Sequence, residues 1–350
     1  MKILLIADPH IPVPPSHYGG AERIVALYAQ EFSRLGHRIH LLAGAGSRGY
    51  GGRLHIHKAP SQAYLSRAHR KVHFQLQSLW AARGTDAIYN FGRFDYLEAL
   101  LASYSKPLLH CFQNPINQEQ IDFAEQRIRA NTSLHFISAN QKSHAEVKAS
   151  SCVIPNPVDT QAYEAGDGSG GYLAFLGRLT FNKGVDVAIQ VARRTGRQLV
   201  IAGNVSSEEG GEHYFKHQVL PHIDGEQIRW IGSVNDVQKQ HLLSQAAALL
   251  FPIRWDEPFG IVMVEALACG TPVIATRRAS TPEVIDHGVT GWLCDPAEPS
   301  VDAFIEAVNR LPELDRNACR ESAKRRFDVR VLAPQVLEVL HSLANREVLA

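Results

Sequence analysis

The sequence predicts an α/β protein with two doubly wound parallel sheets, on the evidence of length, composition and alternating periodicity. The chain has 350 residues, and at roughly 100–200 residues per domain this length suggests two domains. It is 45% hydrophobic and 20% charged, which is ordinary for a globular protein with a sizeable core. Short apolar runs typical of buried strands alternate with segments of helical period, which is the pattern of βαβ units.

The first series of strands and helices begins at the N-terminus. Ile3–Ala7 has the character of a buried strand, and Glu22–Leu35 has apolar residues at helical spacing. Gly36 is placed to end that helix before the next strand, Ile39–Ala43. This βαβ unit predicts a parallel sheet with helices on both faces. Three further strands are expected in the same sheet: Ala87–Asn90, Pro107–Cys111 and Leu134–Ser138.

A second series of strands and helices begins near Tyr172–Leu176. Helices are expected at Val185–Thr195 and Val237–Gln245, because apolar residues recur there at helical spacing. The strands expected to follow the first are Gln198–Ala202, Ile228–Ile231, Ala248–Pro252 and Pro272–Thr276. The order of these elements predicts a second doubly wound sheet.

Glycines separate the two series. Gly166–Gly171 reads GDGSGG, a flexible composition that is typical of a linker. We therefore expect residues 1–165 to form an N-terminal domain and residues 166–330 a C-terminal domain. The helical pattern of the C-terminal segment, residues 331–350, predicts a helix that packs back on the first domain.

The charge balance argues against a nucleic-acid partner. The chain holds 36 Lys and Arg against 35 Asp and Glu, a net charge of +1, whereas nucleic-acid-binding domains are strongly basic. The charge is unevenly divided, since residues 1–150 carry 17 Lys and Arg against 10 Asp and Glu. A positive surface field is therefore expected on the first half only.

The cysteines and the apolar segments predict a cytoplasmic location. The number of cysteines is five, which is odd, and no C-x-x-C spacing occurs, so free thiols are expected rather than disulfides or a zinc site. The N-terminal MKILLIADPH lacks the long apolar region of a signal peptide. No run approaches the 18 apolar residues expected of a membrane span.

The segment Glu257–Ala275, EPFGIVMVEALACGTPVIA, carries the clearest chemical pattern. It follows an apolar strand, Pro258 suits the first turn of a helix, and Gly260 leaves the backbone bare. Such a helix start directs free N–H groups and ~0.5 of a positive charge at a ligand, which suits a diphosphate. Glu257 is placed to accept hydrogen bonds from sugar hydroxyls, and Glu265 to hold ribose hydroxyls.

This segment resembles the donor-binding signature of retaining GT-B glycosyltransferases, most closely family 4. Other motifs carry the same resemblance at family-like spacing: YGGAER (Tyr18–Arg23), IPNPVD (Ile154–Asp159), FLGRLTFNKGVD (Phe175–Asp186) and STPEVIDHGVTGWLCDP (Ser280–Pro296). The resemblance covers nearly the whole chain and implies the GT-B fold, with two Rossmann-like domains facing across a cleft. It also implies transfer of a sugar from a nucleotide-sugar donor to an acceptor hydroxyl, with retention of configuration and a front-face mechanism.

The resemblance implies a role for each matching residue. Arg178 and Lys183 would clamp the donor diphosphate and stabilise the negative charge of the leaving group as it develops. Because these two cations neutralise that charge, neither a metal ion nor another cofactor is expected. Glu257 would bind the transferred sugar, and His110 would lie near the reacting sugar. The other donor-binding positions would be Gly20, Val234, Phe259, Gly260, Ile261, Val262 and, at the ribose, Glu265.

The sequence departs from the family pattern at two places. Pro157 stands where the family usually has glycine, so a stiffer turn is expected there. The first loop is rich in proline, which is expected to shape the entrance for the acceptor; its prolines are Pro9, Pro12, Pro14 and Pro15.

Two other functions stay open at the level of sequence. One is a GT-B nucleotide-sugar epimerase or phosphorylase, and the other is a non-catalytic protein that binds sugar nucleotides. The set of Arg178, Lys183, Glu257 and Glu265 favours transfer. The base and sugar of the donor depend on backbone contacts and hydroxyl geometry, so the sequence leaves them open. The acceptor, which could be a sugar, a glycolipid or a small molecule, is open for the same reason.

A basic segment allows two interpretations. Arg67, Arg70 and Lys71 fall in a predicted helix, Ala63–Arg83, that also has an apolar component. The first interpretation is a solvated helix face. The second is peripheral contact with anionic lipid at the inner face of the membrane, where each basic residue contributes on the order of 1 kcal/mol.

Two weaker patterns suggest other chemistry. GAGSRG, Gly44–Gly49, matches the dinucleotide-binding pattern G-x-G-x-x-G, but the residues after it lead towards a strand, so a loop is expected. His55 and His57 share one face of that strand. Without a third ligand they are expected to be surface residues rather than a metal site.

Overall fold

The computed structural model of the protein describes five stretches of the chain, namely residues 1–15, 19–57, 67–207, 210–295 and 298–347. The chain divides into two compact units. The first unit is Met1–Pro157 together with Val329–Ala350, and the second is Val158–Asp328. The sequence placed the boundary later, after residue 165.

The first unit contains a seven-stranded parallel sheet. Its strands in chain order are β1 (Lys2–Ile6), β2 (Arg38–Gly44), β3 (Gly51–His57), β4 (Ala87–Asn90), β5 (Leu108–Phe112), β6 (Thr132–Phe136) and β7 (Ser151–Val153). They lie in the order β3-β2-β1-β4-β5-β6-β7, and every pair is parallel. The central strands are almost wholly buried, as expected for a parallel sheet that helices cover on both faces.

Five helices of the first unit connect these strands: α1 (Gly20–Arg34), α2 (Arg67–Ala81), α3 (Glu98–Ser103), α4 (Gln118–Glu125) and α5 (Ala139–Ser143). Asn117 caps α4 in a reciprocal capping box with Gln120, which satisfies two backbone donors at the helix start. Aliphatic and aromatic side chains from β1, β4, β5 and β6 pack against α2, α3 and α4 to form one core cluster.

The second unit contains a six-stranded parallel sheet. Its strands are β8 (Leu173–Leu176), β9 (Leu199–Ala202), β10 (Ile228–Trp230), β11 (Ala248–Phe251), β12 (Val273–Thr276) and β13 (Gly291–Cys294). They lie in the order β10-β9-β8-β11-β12-β13. Five of the six strands, β8 to β12, were predicted within one residue of their observed starts, whereas β13 was not predicted.

The described residues of the second unit form seven α-helices: α6 (Val185–Thr195), α7 (Gly211–Tyr214), α8 (Asp236–Gln245), α9 (Ile261–Ala268), α10 (Thr281–Val284), α11 (Val301–Asn309) and α12 (Arg316–Phe327). The last helix, α13 (Val329–Glu347), returns to the first unit, where it packs against α1 and β5. The observed α6 has the predicted bounds, whereas α11 and α12 were not predicted.

The glycine-rich segment Gly166–Gly171 is part of the second unit. Gly166 N–H donates to the Cys269 carbonyl over 3.0 Å, and the Arg316 guanidinium donates to the Gly166 carbonyl over 2.8 Å. Gly168 N–H donates to the Ser244 carbonyl over 3.2 Å. Composition alone suggested a free linker, but these backbone contacts anchor the segment.

The loop prediction for Gly44–Gly49 is confirmed, because β2 is followed by a turn and then by β3. The prediction that His55 and His57 are surface residues is wrong. Both are buried beneath α2, where His57 Nδ1 lies 2.5 Å from Gln77 Oε1 and the His55 ring stands edge-on to Trp80. The sequence pattern did not show that α2 covers this strand.

All five cysteines are free thiols, as predicted. Among the described residues, no helix combines the length and the apolar character that crossing a bilayer requires.

Two glycines at opposite ends of α6 have similar positive φ but different surroundings. Gly184 has φ 74° and Gly196 has φ 68°. A Cβ at Gly184 would lie 2.0 Å from the Pro252 carbonyl oxygen, whereas one at Gly196 would meet no described atom within 4 Å. Gly184 therefore lets the start of α6 lie directly against the residue that follows β11.

We predict that Gly196→Ala lowers the free energy of unfolding by about 1–2 kcal/mol, the cost of left-handed backbone for a residue with Cβ. Gly184→Ala is expected to lower it by about 3 kcal/mol or more, because a steric overlap is added. Urea unfolding of both variants measures the difference. Equal losses would show that the close approach to Pro252 does not matter.

Candidate functional site

The strand order of the second sheet reverses between β8 and β11. Loops that leave the carboxyl ends of two such strands run in opposite directions, and ligands of open α/β sheets bind in the crevice between them. The loop after β8 carries Arg178 and Lys183, and the loop after β11 carries Glu257 and leads into α9. The structure therefore brings three of the predicted site residues to one switch point.

Lys183 and Glu257 are in direct contact. Lys183 Nζ donates to Glu257 Oε2, and the side chains are each 14% exposed. Trp255 Nε1 donates to the same carboxylate oxygen over 2.9 Å, and Lys183 Nζ lies 4.6 Å from the centroid of the Trp255 ring. An indole thus fixes both the ammonium and the carboxylate, with a cation–π contact to the first.

An ion pair that the sequence did not reveal fixes the same two loops. Arg254 Nη1 and Nη2 donate to Asp186 Oδ1 and Oδ2 over 2.8 and 2.7 Å. Arg254 also donates from Nη1 to the Phe181 carbonyl over 2.9 Å, and from its backbone N–H to the Asn182 carbonyl over 2.8 Å. The loop that carries Lys183 is therefore bonded to the loop that carries Glu257 on both sides of Lys183.

Asp186 is held as a carboxylate. Burial raises its pKa, but hydrogen bonds from Arg254 and from the Tyr214 hydroxyl outweigh burial and leave the pKa below its usual value. Burial and the adjacent Asp186 charge raise the pKa of Tyr214, so its hydroxyl remains a donor. Because its pKa is lowered, Asp186 stays ionised at neutral pH and keeps its ion pair with Arg254.

The start of α9 is shaped by Gly260 and Ser280. Gly260 has φ 78°, and a Cβ there would lie 2.6 Å from Met263 Cε, so the left-handed conformation requires glycine. The buried Ser280 hydroxyl lies 2.8 Å from the Glu257 carbonyl and 3.0 Å from the Phe259 carbonyl. It fixes the loop that precedes the first-turn amides of Ile261 and Val262, and neither amide can have an intrahelical partner.

Backbone strain lies beside Ser280. Among the residues that the structure describes, Ala279 is the one residue other than glycine with positive φ, at 52°. Such a conformation is disfavoured for a residue with Cβ and is often found at functional sites.

Glu265 lies in a buried polar cluster. Its Oε1 accepts from Tyr163 Oη over 2.9 Å and from Lys239 Nζ over 2.5 Å. The side chains of Lys239 and Glu265 are 8% and 7% exposed, and Lys239 also lies 3.1 Å from Asp236 Oδ1. Burial and the nearby Glu265 carboxylate raise the pKa of Tyr163. The sequence missed Lys239 and Tyr163, because nothing in their local pattern predicts pairing with α9.

Three other predicted donor-binding residues lie in the second unit at different degrees of burial. Arg178 is half-buried between Gly177 and Leu179, whose N–H groups donate to the carbonyls of Ala202 and Asn204 over 3.1 and 3.0 Å. Val234 is half-buried in the loop between β10 and α8. Phe259 is buried edge-on against Phe327.

Gly20 and His110 belong to the first unit. Gly20 is the exposed first residue of α1, whereas Tyr18 of the same motif lies outside the described residues, as does Pro296 of the Ser280–Pro296 motif. His110 is buried on β5, with its ring edge-on to Phe94 and Phe112. Burial, with a smaller contribution from His135, lowers the pKa of His110 to about 3.

The structure describes the basic segment in α2 in part, and Lys71 within it is ion-paired. Lys71 Nζ lies 3.0 Å from Glu98 Oε2 and 3.7 Å from Asp95 Oδ2. Arg70 is half-buried, and the side chain of Arg67 lies outside the described residues. The exposed side chains of this helix include instead three large apolar residues, namely Val72, Leu76 and Trp80. In the part of the chain that the structure describes, no three His, Cys, Asp or Glu residues form a group that could hold a metal ion.

Comparison with known proteins shows what the second unit is similar to. Residues 164–326 match the family described as glycosyl transferases group 1. A phosphatidyl-myo-inositol mannosyltransferase of Mycobacterium tuberculosis is 29% identical over 212 residues, which is 55% of this chain and 54% of that protein. The chain spans about half the length of the curated relatives it matches. The similarity to the glycosyl transferases group 1 family therefore lies within the second unit.

Solved structures confirm the fold. A sucrose-phosphate synthase from Thermosynechococcus elongatus superposes with a TM-score of 0.79 at 18% identity, over 98% of this chain and 99% of that one. The Anabaena protein HepE, solved in complex with UDP and glucose, gives a TM-score of 0.76 at 18% identity, over 98% and 100%. The predicted architecture of two Rossmann-like domains of the GT-B type is therefore correct.

The cluster around Glu265 generates a prediction about stability. Lys239→Met is expected to lower the free energy of unfolding by about 3–5 kcal/mol, because it leaves a buried carboxylate without its cation. The double variant Lys239→Met, Glu265→Met is expected to recover most of this loss, because no buried charge remains. Urea unfolding measures both variants. A double variant that is less stable than Lys239→Met would contradict the role of the pair.

Proposed function

We propose that the protein is a glycosyltransferase that moves a sugar from a nucleoside diphosphate sugar to an acceptor hydroxyl, with retention of configuration and without a metal ion. One observation carries the proposal, namely the contact of Lys183 with Glu257 beside the start of α9 at the switch point. A cation, a carboxylate and helix N–H groups are the three kinds of group that a donor of this class requires.

The diphosphate would be bound by cations and amides. The Arg178 guanidinium and Lys183 ammonium would contact its oxygens, together with the first-turn amides of Ile261 and Val262. Negative charge builds up on the leaving phosphate as the bond to the sugar breaks, and fixed positive groups stabilise that state most strongly. Because these groups supply the charge that a divalent cation would supply elsewhere, the proposal includes no metal.

Donor binding would replace the contact between Lys183 and Glu257 with contacts from each residue to the donor. In the structure Lys183 and Glu257 pair with each other, and the donor would draw the ammonium to phosphate and the carboxylate to sugar hydroxyls. Glu265 would hold the ribose through Oε2, since Oε1 already accepts from Tyr163 and Lys239. Val234 would frame the base, and Gly20 would allow α1 to approach the phosphate closely.

The transfer step would occur on one face of the sugar. The acceptor oxygen would bond to the anomeric carbon on the side from which the nucleoside diphosphate departs, and the bond from that carbon to the phosphate oxygen would break. The acceptor proton would pass to the departing phosphate, so that atoms and charge balance. Retention follows because attack and departure share a face. An NMR spectrum showing an inverted anomeric configuration in the product would overturn this mechanism, and loss of turnover in EDTA would overturn metal independence.

Relatives support the class of donor. HepE was solved with UDP and glucose, and the Mycobacterium tuberculosis relative is named as a mannosyltransferase. A thermal-shift panel of UDP-, GDP-, ADP- and TDP-sugars would identify the base. An epimerase would convert the donor sugar without any acceptor, a phosphorylase would require inorganic phosphate, and a binding protein would show no turnover.

We predict that Lys183→Ala lowers kcat for transfer by on the order of 10²–10³, because one stabilising group of the leaving phosphate is lost. Glu257→Gln is expected to lower kcat strongly while nucleoside diphosphate affinity stays within about threefold, because Glu257 would contact the sugar of the donor and not its diphosphate. Steady-state kinetics and calorimetric titration with the diphosphate separate the two effects.

Glu313→Gln is a matched control for Glu257→Gln, because Glu313 is an exposed carboxylate of the same unit, paired with Arg310. It should leave both kcat and affinity unchanged. A Glu257→Gln variant with full transferase activity would contradict the proposed site.

We also propose that α2 contacts anionic lipid, with Arg67, Arg70 and Lys71 beside the exposed Val72, Leu76 and Trp80. Flotation with phosphatidylglycerol vesicles at low salt tests this contact. Trp80→Ser should weaken vesicle binding, whereas Val237→Ser, which changes an exposed apolar residue of the second unit, should not. Absence of the wild-type protein from the vesicle fraction at low salt would end the proposal.

A further inference from the structure

The buried end of β4 holds an asparagine against the histidine of β5. Asn90 and His110 are cross-strand partners in the parallel ladder, and both are almost completely buried. Asn90 Nδ2 lies 2.7 Å from His110 Nδ1. Asn90 is the last residue of β4 and His110 is the third of the five residues of β5. The pair lies beside the switch point between β1 and β4, where open sheets bind ligands.

The orientation of the Asn90 amide is fixed by its own loop. Gly92 N–H donates to Asn90 Oδ1 over 3.2 Å, and Asn90 Nδ2 donates to the Gly92 carbonyl over 3.0 Å. These two contacts distinguish the oxygen of the amide from its nitrogen, because an N–H must face the oxygen and a carbonyl must face the NH₂ group. The atom that faces His110 is therefore a donor.

We infer that Asn90 is a positioning residue that fixes His110 as the tautomer with hydrogen on Nε2. A neutral imidazole has one donor and one acceptor nitrogen, so a ring that accepts at Nδ1 must carry its hydrogen on Nε2. Nε2–H is then an uncharged hydrogen-bond donor for an oxygen of the substrate. The role of Nε2–H rests on the proposed function, because it requires His110 to contact a sugar oxygen. The tautomer assignment does not depend on the proposed function.

The surroundings of the ring keep it neutral. Phe94 and Phe112 stand edge-on to the ring, and His135 on β6 is the titratable group whose charge acts on it. Burial lowers the pKa of His135 to about 4, so both rings stay uncharged above about pH 5. His110 is therefore a neutral hydrogen-bond donor across this range, and its titration causes no loss of wild-type activity on the acid side.

His135 provides an internal reference for the same tautomer. Its Nε2 lies 2.7 Å from the Ile154 carbonyl oxygen, which can only accept. Its Nδ1 lies 2.8 Å from Tyr89 Oη, which must then donate. Two neighbouring strands therefore each hold a buried histidine with hydrogen on Nε2, one through a carbonyl and the other through an asparagine amide.

The decisive experiment is long-range ¹H–¹⁵N NMR on the full-length protein with ¹⁵N-labelled histidine at pH 7. His110→Gln identifies the signals of His110 by their loss. We expect a protonated Nε2 and an unprotonated Nδ1 for His110, with the same pattern for His135. A protonated Nδ1 at His110 would overturn the inference, whether or not the protein transfers sugar.

Asn90→Asp extends the test to activity. A carboxylate can only accept hydrogen bonds, so the aspartate of this variant would favour hydrogen on Nδ1 of His110 and would raise the pKa of the ring. In serine proteases, exchange of Asp for Asn beside the catalytic histidine changes kcat by about 10⁴, because the wrong tautomer is favoured. We expect kcat at pH 8 to fall by on the order of 10². It should recover as the pH falls and the imidazolium regains a hydrogen on Nε2.

Asn90→Ala is the matched control. It removes the amide without adding a carboxylate, so we expect a loss of kcat with no recovery at acid pH. Parallel pH profiles for Asn90→Asp and the wild type would overturn the positioning role. If no donor supports turnover while NMR shows hydrogen on Nε2 of His110, the proposed function fails and the tautomer assignment stands.

Discussion

The bidentate ion pair between Arg254 and Asp186 is the contact on which the site of the second unit depends. Arg254 precedes Glu257 by three residues, and Asp186 follows Lys183 by three. When the ion pair brings its two partners together, it also brings together Lys183 and Glu257, the two residues that contact the donor in the proposed function. The side chains are 14% and 19% exposed, so loss of one partner would leave the other as a buried charge, at a cost of about 3–5 kcal/mol. The loops after β8 and β11 are therefore coupled before any ligand arrives.

Glu265 is also fixed by residues from other parts of the chain. A carboxylate on a helix that packs against a sheet loses much of its hydration, and its charge is stable only if donors replace the water. Lys239 and Tyr163 do so through a single oxygen, Oε1, which orients the carboxylate while leaving Oε2 for a ribose hydroxyl in the proposed function. Preorganisation of this kind reduces the ordering that a ligand must bring about when it binds.

Sequence was a good guide to what is local and a poor guide to what is distant in the chain. Most of the strands and α6 were predicted because apolar period and glycine position act within one element. The pattern of Glu257–Ala275 was visible in the sequence because its residues are contiguous. Arg254, Ser280, Lys239 and Tyr163 were missed because their partners lie far along the chain, 68 residues away for Arg254 and 102 for Tyr163. Gly166–Gly171 was misread for the same reason, since its anchors, Ser244, Cys269 and Arg316, are distant.

The buried polar residues of the two units have different kinds of partner, and the partners decide which residues are charged. In the second unit Lys183 pairs with Glu257 and Lys239 pairs with Glu265, so each of these groups has an oppositely charged partner. His110 in the first unit has aromatic neighbours and an amide, which cannot offset the desolvation of an imidazolium, so the ring stays neutral. In the proposed function, a neutral imidazole N–H can bind a sugar oxygen without attracting the diphosphate away from the cations of the second unit. The proposed chemistry needs strong positive charge only where the phosphate leaves, and the distribution of charged partners in the fold follows that need.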